Sequence, residues 1–364
     1  MKLDRIKISN FKSIKELALS LNNINILIGP NGAGKSNFIQ FFNLLNNIVS
    51  QNLQRYIAEK GGADNFLHFG KKHSNSFSGM LSFGLNDYDF ELAATVDDNF
   101  YFKHEITSYY NPYYGATSKR DLSAANKETN LIPEYNQDAN KQGVVYYILS
   151  SMSNWRVYHF HDTSSAAKVK QAGDINDNRS LRRDASNLAA FLYLLSKKHH
   201  EYLTRIENTI KLIAPFFEKF QLEPLALNSE NIRLEWKHLG SDEYFNANHL
   251  SDGTLRMICL ITLLSQPNLP DTIIIDEPEL GLHPAAIELL TSLIKSVAAN
   301  GKQIICSTQS VTFLNHFEPQ DIIVVDRTEG ASIFKRLELE SLTEWLNQYA
   351  IGELWEKNVL GGRP

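Results

Sequence analysis

Apolar positions along this chain follow three distinct patterns. Residues 23–28 close on an unbroken Ile26-Leu27-Ile28 run, and Thr272-Ile273-Ile274-Ile275 forms a second. Runs without alternation predict strands buried on both faces. Residues 303–307 and 322–325 read the same way. Residues 77–104 instead alternate apolar and polar around Asn86-Asp87 and Asp97-Asp98-Asn99. That pattern predicts an antiparallel meander turning at those polar pairs. Helical spacing appears twice. Phe38, Phe41, Phe42 and Leu45 share one side of a helix over 37–45. Leu188, Phe191, Leu192, Leu195, Ile206, Ile210, Ile213 and Phe217 recur at three- and four-residue steps. The second set predicts two or three helices, broken at Pro215. Residues 144–149 and 156–160 have strand character, and 220–225 with 232–236 predict a hairpin. Trp345 and Trp355 fall on short amphipathic segments that cover the remainder.

Between the meander and the helices, residues 107–142 are polar and rich in Tyr, Asn, Ser and Lys. Tyr109, Tyr110, Tyr113 and Tyr114 cluster around Asn111-Pro112. The cluster fits a loop that stacks on nucleic acid or docks a partner, and equally a plain surface loop.

Chemistry enters at the end of the first buried run. Gly29-Pro30-Asn31-Gly32-Ala33-Gly34-Lys35-Ser36 stands between a predicted strand and a predicted helix, with Asn37 opening the helix. The glycines allow a tight turn whose N–H groups point inward as an anion cradle. Lys35 is expected to reach the β- and γ-phosphates of a nucleotide, and the Ser36 hydroxyl to ligate Mg2+. The helix aims its N-terminal dipole at the same phosphates. Asp276 and Glu277 end the Thr272–Ile275 run. Asp276 suits Mg2+ held through water, and Glu277 a general base for the attacking water. Two carboxylates at an exposed strand end are the plainer reading. Glu279 reads equally as a solvated loop residue.

Leu250-Ser251-Asp252-Gly253-Thr254 lies about twenty residues before this strand. Ser251 is a good helix N-cap in its own right. With the phosphate loop upstream and Asp276-Glu277 downstream, the order and the gap match the ABC-type ATPase pattern. Ile6-Lys7-Ile8-Ser9-Asn10-Phe11-Lys12-Ser13-Ile14 resembles the opening of RecF, SMC and OLD-type heads rather than of a membrane transporter. Glu277-Pro278-Glu279 and Gly281-Leu282-His283-Pro284 resemble the RecF and OLD-like group. The likeness is greatest to the stand-alone OLD-like ATPases of bacterial defence and toxin–antitoxin gene pairs. It covers residues 1–40 and 248–330, with looser matches at 158–163 and 184–188.

The resemblance implies an α/β fold: an ABC-ATPase head, with a P-loop core sheet flanked by an antiparallel β-subdomain, and an inserted short helical arm. It divides the chain into head segments 1–84 and 228–364 around an insertion at 85–227. It also implies a homodimer, or a higher even-numbered oligomer, with ATP sandwiched between heads. Ser251 and Gly253 of one copy would contact the γ-phosphate held by Lys35 of the other, with the nearby helix dipole aimed at it. One departure stands out. The switch histidine of ABC heads is replaced by Gln309, which offers a neutral donor and no imidazolium charge. Nucleotide binding is unaffected by this change, but rapid hydrolysis is not expected. The Q-loop glutamine has candidates in Gln51 and Gln54, without a local signature, and the segment 61–67 is an alternative.

Composition narrows the setting. With 43% hydrophobic and 21% charged residues the chain is ordinary globular material. Cys259 and Cys306 both sit in apolar runs, as core thiols do, which points to a reducing cytoplasm. No membrane-spanning run or signal peptide is present. The net charge of −5 argues against nonspecific DNA binding. A local basic set at Lys168, Lys170, Arg179, Arg182, Arg183, Lys197 and Lys198 keeps direct DNA contact open, although solvated faces look the same. His199-His200 lacks a Cys or carboxylate partner at metal spacing. The helical region is too short for an SMC-like coiled coil. OLD-type nucleases carry a metal-binding domain after the head, and residues up to Pro364 show no acidic cluster for one. The tail from Leu360 to Pro364 reads as a docking element or as a frayed terminus.

The functional expectation is an ATP-binding and hydrolysing dimeric switch that controls a separate nuclease or toxin effector in antiphage defence. Two alternatives stand beside it: a RecF-like repair ATPase acting on DNA, and a slow-turnover ATP-dependent scaffold.

Overall fold

The structure is a computed structural model, and it describes residues 2–123, 125–138, 142–340 and 342–362. Two six-stranded sheets dominate it. The core sheet runs in the order Ala331–Arg336, Ile322–Thr328, Ile24–Ile28, Gln303–Ser307, Thr272–Asp276, Arg156–Tyr158. All its neighbours are parallel except the pair formed by the first two. The apolar runs that predicted doubly buried strands therefore sit at its centre. Successive side chains leave opposite faces. Ile26, Ile28, Ile273 and Ile275 join one hydrophobic cluster, while Leu27, Ile274 and Ile305 join the other.

The second sheet is antiparallel, in the order Ile14–Ser20, Arg5–Phe11, Ser76–Phe83, Asn86–Ala94, Phe100–Asn111, Ala116–Asp121. The predicted meander is present and continues beyond residue 104. One face packs on the Lys35–Val49 helix through aromatic rings. Phe11 of the sheet and Phe41 of the helix have centroids 5.1 Å apart, and Phe41 also faces the Phe90 ring of the sheet at 6.3 Å. Such pairs each contribute about 0.5–1.5 kcal/mol beyond their burial. This packing ties the phosphate-loop helix to the antiparallel sheet.

Several expectations change. Residues 144–149 are not a strand: Val144–Ser153 is a helix, with Ile148 and Met152 fully buried. Short apolar runs do not distinguish the two states, and here the Lys35–Val49 helix and the strands Asn86–Ala94 and Phe100–Asn111 accept a helix face. The polar stretch 107–142 is not one loop. It supplies the end of Phe100–Asn111, the strand Ala116–Asp121 and the helix Leu131–Gln137, while positions 124 and 139–141 lie outside the described residues. Tyr113 and Tyr114 lie at the tip of the resulting hairpin, exposed. Phe217 belongs to a strand, Phe217–Gln221, which pairs with Glu235–His238. Arg363 and Pro364 of the tail lie outside the described residues.

The helices Leu188–Lys198 and His200–Lys211 do not project. Leu192, Leu203, Ile206 and Ile210 share a buried cluster with Leu255, Met257 and Ile258 of the Asp252–Ser265 helix. The α/β head with its antiparallel flank and short helical insertion is thus the architecture. Among the described residues, no helix is long and apolar enough to cross a membrane.

Candidate nucleotide site

The phosphate loop leaves the Ile24–Ile28 strand and enters the Lys35–Val49 helix, as the sequence predicts. Gly32 and Gly34 take φ of +77° and +120°, conformations that side chains rarely adopt. Asn31, Gly32 and Ser36 are exposed on the loop, while Ala33, Gly34 and Lys35 are buried. A Cβ on Gly34 would lie 2.0 Å from Ser332 Oγ, so the loop is held against the neighbouring hairpin. Ser332 Oγ donates to the Ala33 carbonyl and meets Ser13 Oγ at 2.7 Å. Asn37 Nδ2 donates to Ser13 Oγ at 2.7 Å. Ser13, read in the sequence only as part of an opening motif, is thus a brace for the loop.

Lys35 Nζ donates to the carbonyls of Gly29 and Pro30, at 2.5 and 3.1 Å. Burial lowers its pKa, and Glu277, Asp276 and Glu279 act in the opposite direction. The ammonium therefore faces three carboxylates across the ends of the parallel strands. Asp276 accepts from Ser307 Oγ on the adjacent strand. Glu277 sits at φ +43°, a left-handed conformation that costs a non-glycine residue about 1–2 kcal/mol. Its backbone N–H donates to the Ser307 carbonyl at 3.0 Å. Its carboxylate accepts from Gln309 Nε2. Glu277 and Gln309, chosen separately from the sequence, are thus direct partners.

Glu279 is not a solvated loop residue. It is buried, accepts from Thr308 Oγ1, and leaves Oε2 without a hydrogen-bond partner among the described residues. Burial pushes its pKa up to about 7, against the hydrogen bonds that lower it.

Ser251 caps the Asp252–Ser265 helix, its Oγ accepting from Thr254 N–H at 3.2 Å. Ser251 and Asp252 are exposed, and Gly253 is packed closely enough that a Cβ would lie 2.6 Å from the Gly281 carbonyl. Among the described residues no hydrogen bond or ion pair joins 250–254 to 29–37. Gln51 and Gln54 also stay apart from the loop. Gln51 donates to Thr129 O, and Gln54 to Phe100 O and Lys127 O, on the antiparallel flank. The segment 61–67 packs against the first strand, where Lys12 N–H donates to Phe66 O at 2.9 Å.

Part of the basic set is engaged. Lys170 pairs with Asp252 at 3.4 Å, Arg182 with Asp177 at 2.6 Å, and Lys197 lies over the Tyr193 ring. Residues 158–163 prove more informative than their loose sequence likeness indicated. The strand Arg156–Tyr158 pairs in parallel with Thr272–Asp276, Tyr158 opposite Ile275. The chain then brings His159 and His161 beside Asp276. Burial lowers the His159 pKa, with Asp276 opposing.

Residues 24–315, more than half of the chain, match the family described as "AAA domain, putative AbiEii toxin, Type IV TA system". The chain belongs to this AAA-domain family. Family membership brings ATP binding and, in general terms, ATPase chemistry. A "Putative ABC transporter ATP-binding protein" of Methanosarcina acetivorans is 28% identical over 124 residues, 32% of this chain. The match spans only 44% of that archaeal protein. The fold is that of SMC heads. An SMC head bound to the C-terminal winged-helix domain of ScpA superposes with a TM-score of 0.61, covering 94% of this chain and 100% of that one at 14% identity. An SMC head with an extended coiled coil, bound to the C-terminal domain of ScpA derived from Pyrococcus furiosus, gives 0.56 at 14% identity, covering 95% and 98%. This AAA-domain protein therefore has the fold of an ABC-type ATPase head.

Proposed function

We propose that this AAA-domain protein is an ATP-driven dimeric switch that controls a separate effector protein, a nuclease or toxin, in antiphage defence. One observation carries the dimer: the Ser251 segment is an exposed, capped helix start, and among the described residues it makes no hydrogen bond or ion pair to the phosphate loop of its own chain. A second copy supplies Ser251 and Gly253 to the nucleotide held by Asn31, Gly32, Ala33, Gly34, Lys35, Ser36 and Asn37. The positive helix end at Ser251 then faces the γ-phosphate.

The residues fit Mg2+ with ATP. A hydroxyl at Ser36 and a carboxylate at Asp276 are hard oxygen donors of the kind Mg2+ takes. When bound, Mg2+ neutralises phosphate charge; Ser36 and Asp276 would hold it. Lys35 exchanges its two backbone carbonyl partners for phosphate oxygens. Glu277 takes the proton of the attacking water. Gln309 orients Glu277 through their hydrogen bond and contributes no charge of its own. A neutral donor already engaged by the base favours slow turnover, so the closed dimer persists long enough to signal.

The effector reading rests on the family description, which refers to a toxin–antitoxin system, and on the fold. SMC heads of this fold bind a partner domain from ScpA. Native mass spectrometry on tagged Glu277→Gln protein, recovered with ATP from its host, tests the whole proposal. An even-numbered assembly carrying ATP and a second protein is expected. A bare dimer that gains mass only with DNA would favour a repair ATPase, and an ATP-bound monomer would overturn the sandwich.

A further inference from the structure

The segment 159–161, which follows the strand Arg156–Tyr158, flanks Asp276 on the side away from the phosphate loop. The core sheet runs Ile24–Ile28, Gln303–Ser307, Thr272–Asp276, Arg156–Tyr158. Asp276 pairs with Ser307 on one side, and Ile275 pairs with Tyr158 on the other. Continuing that parallel register one residue past the strand brings His159 level with Asp276, and the chain carries His161 to the same carboxylate. One donor atom from each of His159, His161 and Asp276 lies within 4.8 Å of the other two. All three side chains are half-buried, while Phe160 between the histidines is buried and anchors the segment. Arg256 holds the segment from below, donating from Nε to the Phe160 carbonyl at 2.9 Å and from a terminal nitrogen to the His161 carbonyl at 3.1 Å. Neither imidazole makes a hydrogen bond to another described residue.

We propose that His159, His161 and Asp276 form a binding site for a divalent first-row transition metal beside the nucleotide centre. Two imidazoles and one carboxylate are a borderline donor set, suited to Zn2+, Co2+ or Fe2+ and poorly suited to Mg2+, which prefers oxygen. An ion about 2.1 Å from each donor needs the donors about 3 to 3.5 Å apart. Small side-chain rotations close that gap, because the backbone is already fixed by strand pairing and by Arg256. Three protein donors leave further positions open to water or to an oxygen of the neighbouring nucleotide. The site would couple nucleotide occupancy to metal occupancy through the shared Asp276. That coupling rests on the nucleotide-site reading above; the binding of metal to the free protein does not.

The test uses the full nucleotide-free chain and Co2+ as the probe, read by visible ligand-field absorption and equilibrium dialysis. One Co2+ per chain is expected, retained in excess Mg2+ and weakened at least about tenfold in His159→Gln and in His161→Gln. A His200→Gln control should retain it, because the chain has 11 histidines and surface pairs bind metal adventitiously. Hyperfine-shifted imidazole N–H resonances in the wild-type Co2+ protein give a readout that needs no variant to fold. Absent shifted resonances, displacement by equimolar Mg2+, or unchanged binding in both histidine variants would overturn the site. Lys35→Ala separates the two proposals: it should lose fluorescent ATP analogue and keep Co2+. Wild-type protein that binds Co2+ but no nucleotide would sink the nucleotide reading alone.

Discussion

The Gln309 side-chain amide donates to the carboxylate of Glu277. The contact joins the end of one core strand to the loop that follows its neighbour. It places a neutral donor where ABC heads are expected to carry a histidine. Turnover should depend on both partners in different ways. Glu277→Gln should lower kcat by about 100-fold or more through loss of the general base. Gln309→Ala should lower it by up to about 100-fold, as for a misplaced catalytic group. Phosphate release measures both, and fluorescent-nucleotide titration should show ATP affinity little changed.

Gly34 is constrained twice, by φ of +120° and by Ser332 Oγ 2.0 Å from where a Cβ would sit. Gly34→Ala should cost about 1–3 kcal/mol from the backbone term alone and weaken nucleotide binding. Adding Ser332→Gly removes the clash but leaves the backbone cost and takes away the brace from Ser332 Oγ to the Ala33 carbonyl. Only partial recovery of Tm and of ATP affinity is expected; full recovery would show that sterics alone matter.

Glu279 provides a pH dependence. Its carboxyl titrates near 4.5 in the unfolded chain and is pushed up to about 7 by burial in the fold. Between these values the folded protein keeps a proton that the unfolded chain releases. Stability therefore falls as pH rises from about 4.5 to 7, by on the order of 3 kcal/mol in total. Glu279→Gln mimics the protonated form and should flatten this slope. Denaturant midpoints at pH 5 and pH 8 give the comparison: the variant should match wild type at the lower pH and exceed it at the higher. A parallel pair of curves would refute the assignment.

Ser251 should matter to association more than to nucleotide binding by the single chain. Ser251→Arg adds bulk at an exposed cap and should abolish ATP-dependent dimers of Glu277→Gln protein in sedimentation velocity. ATP binding by the monomer should survive. Ser251→Ala tests the cap itself, at about 1 kcal/mol of stability.

Much of the nucleotide site is local and so is written in consecutive residues. The turn at 29–36 needs glycines at Gly32 and Gly34 wherever the rest of the chain goes, and the strand before it and helix after it follow from residue spacing. The doubly buried runs at 272–275 and 303–307 were legible for the same reason: only a central parallel strand hides every side chain. The helix Val144–Ser153 was not, because its short apolar run satisfies either period until a neighbouring surface selects one.

What the sequence by itself determined is the phosphate loop and the strand-end carboxylates, since each depends on backbone geometry within a few residues; the class of fold followed from the family resemblance those motifs carry. What only the tertiary structure decided is proximity: Ser13 and Ser332 bracing the loop, Glu279 buried against Thr308, and His159 and His161 beside Asp276. Asp276 lies more than a hundred residues from either histidine in the chain. They meet because parallel strands, joined by long crossovers, order themselves by burial across the whole sheet, and no spacing along the chain records that order.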